Sequence, residues 1–277
     1  MKIDAHQHFW NPARGDYGWM DSEGARPLRR TILPADFESH RKAHGIDRTV
    51  LVQAAPSIAE TEYMLGIADT TDYVAKVVGW VDFENRDDLK QLARLAKHPK
   101  FSGVRPMIQD LPDAEWMHRK DVQWAFSAII DLDLTFDALG YPLHLDHFKK
   151  LFDAYPKMRT VIDHCMKPVI RESQFEPWAK KMAVIAKTTS AFCKLSGIAT
   201  EAAAGWSLET LKPYAAHVLE CFGAERVMWG SDWPVLELNG SYASWHRAAH
   251  DIVGNGPLGD AVFGDTASQF YRITSKM

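Results

Sequence analysis

KIDAHQH, residues 2–8, places an apolar start directly before two histidines one residue apart. In an extended strand successive side chains point to opposite faces, so the segment predicts a strand with Asp4, His6 and His8 on one side and Ile3, Ala5 and Gln7 on the other. Taken alone it admits two readings, an edge strand with surface histidines or one half of a metal claw. Seven further apolar or β-branched runs follow at fairly even spacing: RTVLVQA (48–54), VAKVVGWVDF (74–83), FSGVRPM (101–107), LTFDAL (134–139), RTVIDH (159–164), AFCKLSG (191–197) and RVMWGSD (226–232). Between them, segments such as DDLKQLARLAKH (87–98) and VQWAFSAIIDLD (122–133) repeat apolar residues every three to four positions, the helical period. Strand alternating with helix eight times predicts an α/β fold, a single distorted TIM-like (β/α)8 barrel over residues 1–277.

Composition is consistent with this and narrows the function. A hydrophobic content of 46% supplies a substantial core, and no linker, charge block or low-complexity segment divides the chain. The net charge of −4 comes without a basic block, so no nucleic-acid partner is expected. Cys165, Cys193 and Cys221 are odd in number and far apart, which indicates neither a disulfide framework nor a zinc ribbon. With no secretory pattern and no run of eighteen apolar residues, the expectation is a cytoplasmic protein without a membrane partner. A homo-oligomer is compatible with the sequence, which marks no interface.

In a barrel of this kind the active site lies where the strands end. His6 and His8 end the first strand, Gln53 the second and Arg105 the fourth; Asp137 is near the end of the fifth, and His164 follows the sixth. Lys194 and Ser196 sit on the seventh strand, and Asp232 ends the eighth. Each has an ordinary alternative: Arg105 and Lys194 as ion-pair partners, Asp137 as a helix cap, Gln53 as a structural amide. Together, neutral imidazoles and a carboxylate in one mouth suit a divalent ion or a water to be activated. The stretch 9–33, rich in Gly, Pro, Trp and Tyr, reads as a loop lidding that mouth.

Four motifs in this order, H-Q-H-F-W at 6–10, V-I-D-H-C-M-K-P at 161–168, C-K-L-S-G at 193–197 and W-G-S-D-W-P at 229–234, resemble the lactonase-containing branch of the amidohydrolase superfamily. Within it the resemblance is to sugar-acid lactonases acting on compounds such as L-fuconolactone or L-rhamnonolactone. It implies a barrel in which His6, His8, His164 and Asp232 surround a hydrolytic water and form the ligand set for a mononuclear Zn²⁺ or other divalent cation, while some lactonases of the branch work without metal. Asp232 is then the general base, and cationic groups such as Arg105, or a metal, stabilise the oxyanion. The lysine that bridges two metals in many members has no counterpart, because strand four ends in Arg105. Nor does strand five carry the histidine of related decarboxylases: Asp137 stands there, with His144 further on.

The expected substrate is a small lactone. Trp10, Tyr17, Trp19 and Trp233 beside the site offer ring faces to a sugar, with Gln53, Asp137, Lys167 and Lys194 as further binding groups. Arg105, Lys167 and Lys194 could instead hold carboxylates, which keeps a pyrone-dicarboxylate lactonase as the alternative. A metal-dependent decarboxylase and a non-catalytic binding barrel are the remaining rivals.

Overall fold

The computed structural model describes residues 1–274. Eight strands, β1 (Ile3–Gln7), β2 (Arg48–Val52), β3 (Val74–Gly79), β4 (Phe101–Val104), β5 (Thr135–Ala138), β6 (Arg159–Ile162), β7 (Phe192–Leu195) and β8 (Val227–Trp229), lie parallel in sequence order. Each falls inside one of the eight runs. The main outer helices are α1 (Pro34–His44), α2 (Ile58–Thr70), α3 (Leu89–Leu95), α4 (Gln123–Asp131), α5 (Leu145–Ala154) and α6 (Trp178–Thr188). They continue with α7 (Ile198–Glu201), α8 (Leu208–Phe222), α9 (Tyr242–Val253), α10 (Pro257–Asp260) and α11 (Thr266–Tyr271). No described helix is long and apolar enough to cross a membrane.

β1 and β8 meet through an isolated bridge between Gln7 and Trp233 rather than a paired ladder. Two backbone bonds hold that seam, Asp232 N to His6 O and His8 N to Trp233 O, each 2.8 Å. The Asp4 carboxylate braces it, accepting from Ser231 N (2.8 Å) and the Tyr242 hydroxyl (3.1 Å). At the end where the strands begin, Phe270, Tyr271 and Ile273 pack against Ile3, Ala5, Val50, Val52, Val161 and Met228 inside the barrel. Burying each of these large side chains stabilises the closed form by roughly 1.5–3 kcal/mol.

Strict alternation along β1 fails. Asp4 pairs with Thr49, but Gln7 pairs with Leu51, so three steps on β1 match two on β2: one extra residue, a bulge. Asp4 therefore points out to α9 while Ala5, His6 and His8 all turn inward. Without the bulge a two-residue period would carry Asp4 into the lumen with the histidines.

Loop 9–33 contains three short 3₁₀ turns (Pro12–Arg14, Gly18–Asp21, Glu23–Leu28) and a Trp10–Ile32 bridge. Side-chain bonds pin it to the loops after β2 and β8, through Asp16 and Ser57 (2.9 Å) and through Arg30 and Glu237 (2.5 Å).

Candidate active site

Three imidazoles point at one oxygen. Asp232 Oδ1 lies 3.2 Å from His8 Nε2, 3.8 Å from His6 Nε2 and 3.9 Å from His164 Nε2, all of them buried. The backbone is bent to achieve this. Asp232 adopts a left-handed φ of 57°, and His164, Cys165, Met166 and Lys167 are four consecutive left-handed residues with φ between 49° and 57°. Such residues cost roughly 1–2 kcal/mol each, a strain of the kind that gathers at functional sites. Glycines make room for the rings: a Cβ at Gly197 would lie 2.6 Å from the His164 ring, and one at Gly230 would lie 2.7 Å from His6 Cβ.

The outward nitrogens of two rings are occupied. His8 Nδ1 meets Val52 O at 2.7 Å and His164 Nδ1 meets Ser196 Oγ at 2.9 Å, which leaves both Nε2 atoms facing the carboxylate. Burial holds His6 well below the usual histidine range, with Lys194 adding to it, and burial brings His164 down to about 4. Burial opposes ionisation of Asp232, but His164 and the hydrogen bond from His8 outweigh it, and its carboxyl stays below the usual carboxylate range. Imidazole nitrogens converging on one carboxylate oxygen, with the His8 and His164 rings anchored through their other nitrogens, are the arrangement that suits a divalent cation. Two overlapping ligand sets fit one, His6, His8 and Asp232, and His6, Asp163 and His164.

Arg105 flanks the site. Its guanidinium binds Gln53 O and lies 3.3 Å from both Asp163 Oδ2 and His6 Nε2, while its Nε is buried with no partner. Gln53 is a positioning residue: it clamps Arg105 from both sides, returning a bond from Nε2 to Arg105 O at 2.7 Å.

Beneath the imidazoles lies a second polar layer. Lys194 Nζ sits 2.5 Å from Asp137 Oδ2 and 3.1 Å from both Asp163 Oδ1 and His6 Nδ1, and the Tyr271 hydroxyl donates to Asp137 Oδ2 at 2.8 Å. Asp137 and Lys194 are fully buried, so the expectation that they bind substrate is corrected: they are wall and floor. Asp163, ionised against burial mainly by Lys194, is a member that sequence reading missed. Strand alternation forbids two consecutive inward residues, and only the left-handed turn lets Asp163 and His164 both face in.

The open cleft is about 220 Å³ and is lined by His8, Arg105, His164, Lys167, Asp232 and Trp19, with Ala54, Met107, Gln109, Asp110, Leu139 and Val235 completing it. The last six carry no motif and were not anticipated. Of the four expected aromatics only Trp19 reaches it. Trp10, Tyr17 and Trp233 are buried outside it: Trp10 lies edge-on to Trp19, centroids 5.6 Å apart, and Trp233 packs on Phe9 and Phe37. A loop this short of helix and strand must bury its own aromatics to stay ordered, and Phe9, Trp10 and Tyr17 are used that way. His144 caps its own turn, its Nδ1 accepting from Tyr141 N at 3.0 Å. With Lys194 sealed, the cations left in the cleft are Arg105 and Lys167, the latter bound to Gln109 Oε1 at 2.5 Å.

A family model described as amidohydrolase matches residues 3–273. The chain belongs to the amidohydrolase family. This amidohydrolase is 41% identical, over 99% of its length and 96% of the relative's, to a Burkholderia ambifaria protein named L-fucono-1,5-lactonase. It superimposes with a TM-score of 0.91 and 28% identity on a Burkholderia multivorans amidohydrolase with bound zinc, covering 99% and 100% of the two chains. A probable 2-pyrone-4,6-dicarboxylic acid hydrolase from Acinetobacter baumannii shares the fold at 19% identity and a TM-score of 0.82, over 98% and 99% of the chains.

Proposed function

We propose that this chain hydrolyses a sugar-acid lactone of the L-fucono-1,5 type to the open aldonic acid. The observation that carries the reading is the ring of three imidazoles around an ionised Asp232 in a cleft sized for one sugar ring. The named relative at 41% identity supports the substrate. A dicarboxylate fits less well, because among the described residues only Arg105 and Lys167 bring positive charge to the cleft and Lys167 is already engaged.

Asp232 takes a proton from water as the water oxygen attacks the lactone carbonyl. The ring C–O bond then breaks, and the proton passes from Asp232 to the departing ring oxygen. General-base assistance of this sort contributes roughly 10²–10⁴ in rate. Arg105, which lines the cleft, is the donor to the developing oxyanion, where a fixed donor is worth about 10²–10³. Trp19 covers the apolar face of the sugar while Lys167, Gln109 and Asp110 bind hydroxyls. His6, His8, His164 and Asp232, whose three Nε2 atoms converge on Asp232 Oδ1, would hold the cation, for which zinc suits the nitrogen-rich set. Bound there, it supplies Lewis-acid polarisation of the carbonyl and of the attacking water.

A panel of lactones followed by proton release tests the reading. L-fucono-1,5-lactone should release one proton per turnover, with the relatives of other sugars slower. A preference for dicarboxylate lactones, or release of carbon dioxide from an unsaturated acid without lactone turnover, would reject it.

A further inference from the structure

Trp19, Met107 and Asp110 each border a second space besides the catalytic cleft. On their far side is a cavity of about 440 Å³, twice the cleft's volume, built by the loops after β1 to β4. Its walls are aromatic, with Trp80, Phe83 and Trp116 foremost. Its charged groups are all acidic, Asp16, Asp82, Glu84 and Asp110, and among the described residues no lysine, arginine or histidine lines it. The walls are fixed: Trp116 Nε1 donates to Glu84 Oε1 at 2.8 Å, Arg119 holds Glu84 Oε2 at 3.0 Å, and Trp19 Nε1 is tied to Ala54 O at 2.7 Å. Asp16 is fixed as well, its Oδ2 accepting from Arg14 and from the Ser57 hydroxyl, both at 2.9 Å.

Ring faces that cover C–H surface, combined with carboxylates that accept from hydroxyls, are the chemistry of carbohydrate recognition. An anion is disfavoured: Arg14 and Arg119 are committed to Asp16 and Glu84 at 2.9 and 3.0 Å, and among the described residues no ion pair offsets Asp82 or Asp110. From this we infer that the cavity is a second subsite for a neutral sugar unit, so that the enzyme accepts aldonolactones glycosylated on a ring hydroxyl. The inference rests on the lactonase reading: the lactone ring occupies the cleft by Asp232, and the attached sugar passes Trp19 and Asp110 into the larger space.

The test compares kcat/KM for L-fucono-1,5-lactone with that for the same lactone carrying a β-D-galactosyl group on O2, O3 or O4. At least one of the three should be turned over within about threefold of the parent. Trp80→Ala and Asp82→Asn should each raise KM for that substrate about fivefold or more while leaving the parent lactone within about twofold. Turnover of all three glycosylated lactones more than about threefold below an active parent would overturn the subsite and leave the lactonase reading standing. So would equal losses on both substrates in the two variants. Inhibition by tetramethylammonium that Trp80→Ala abolishes would assign the cavity to a cation and likewise overturn it. An enzyme inert toward the parent lactone overturns both.

Discussion

Two layers of the barrel interior are equally buried and equally polar, yet they are built on opposite terms. In the lower one, Lys194, Asp137, Asp163 and Tyr271 turn toward one another, each charge facing its opposite within 3.1 Å or less. In the upper one, three imidazole nitrogens face a carboxylate oxygen with no hydrogen designed to lie between at least two of the pairs, at 3.8 and 3.9 Å. Buried polar groups are normally matched. The paired lower layer reads as framework, apart from Asp163, which also forms a cation-sized set with His6 and His164; the acceptors of the upper layer converge on shared space, where the proposed chemistry takes place.

The comparison breaks first at Asp232. Asp232→Asn should lower kcat by about 10²–10³ while the urea midpoint stays close to the parent, because the change removes basicity and little packing. Near-parental turnover would show that the upper layer is framework too. Lys194→Met attacks the lower layer: it strands two buried carboxylates, and equilibrium unfolding should show a loss of about 3–5 kcal/mol. Unchanged stability would mean that the pairing there is not what holds the floor.

Gly197→Ala sharpens the contrast from outside either layer. The residue sits at φ 66° against the His164 ring, so a methyl both strains the backbone by about 1 kcal/mol and displaces the ring; kcat should fall about tenfold, more than stability predicts. Acid sensitivity should follow the upper layer. His164 is neutral down to about 4, below its unfolded value of 6.5, so its contribution to stability and to the site is intact above 6.5 and is lost as pH falls toward 4. A kcat/KM profile whose acid limb centres near 6.5 would contradict the buried neutral ring. The smallest effect belongs to Trp19→Ala, about 1–2 kcal/mol in kcat/KM for sugar lactones and less for an unsubstituted lactone, whereas Trp10→Phe should leave selectivity unchanged.

The barrel was legible because its signal is repetitive: eight apolar runs separated by helical periods, each placed where a strand was later found. His6, His8, His164 and Asp232 were legible because they follow strands in compact motifs, and the structure brings them together. What sequence could not show was depth. Asp137 and Lys194 are inward like the histidines but one layer lower, and periodicity gives face without height. Asp163 was hidden by the left-handed turn, Asp4 was misassigned by the bulge, and Trp10, Tyr17 and Trp233 were misread because an aromatic in a loop looks the same whether it faces solvent or packs beneath its neighbours.

The seam between β1 and β8 has a consequence for how the enzyme comes into being. His8 and Asp232 are 224 positions apart, and Asp4 and Tyr242 are 238 apart. During synthesis at roughly 5–20 residues per second, His6 and His8 leave the ribosome many seconds before their carboxylate partner exists. Until β8 arrives, the first strand is an unsheathed sheet edge carrying exposed imidazoles, the part of the nascent chain most open to stray pairing and to chaperone capture. Activity can begin only with the final clasp, so a truncated product lacking β8 is expected to be inert rather than a weak enzyme.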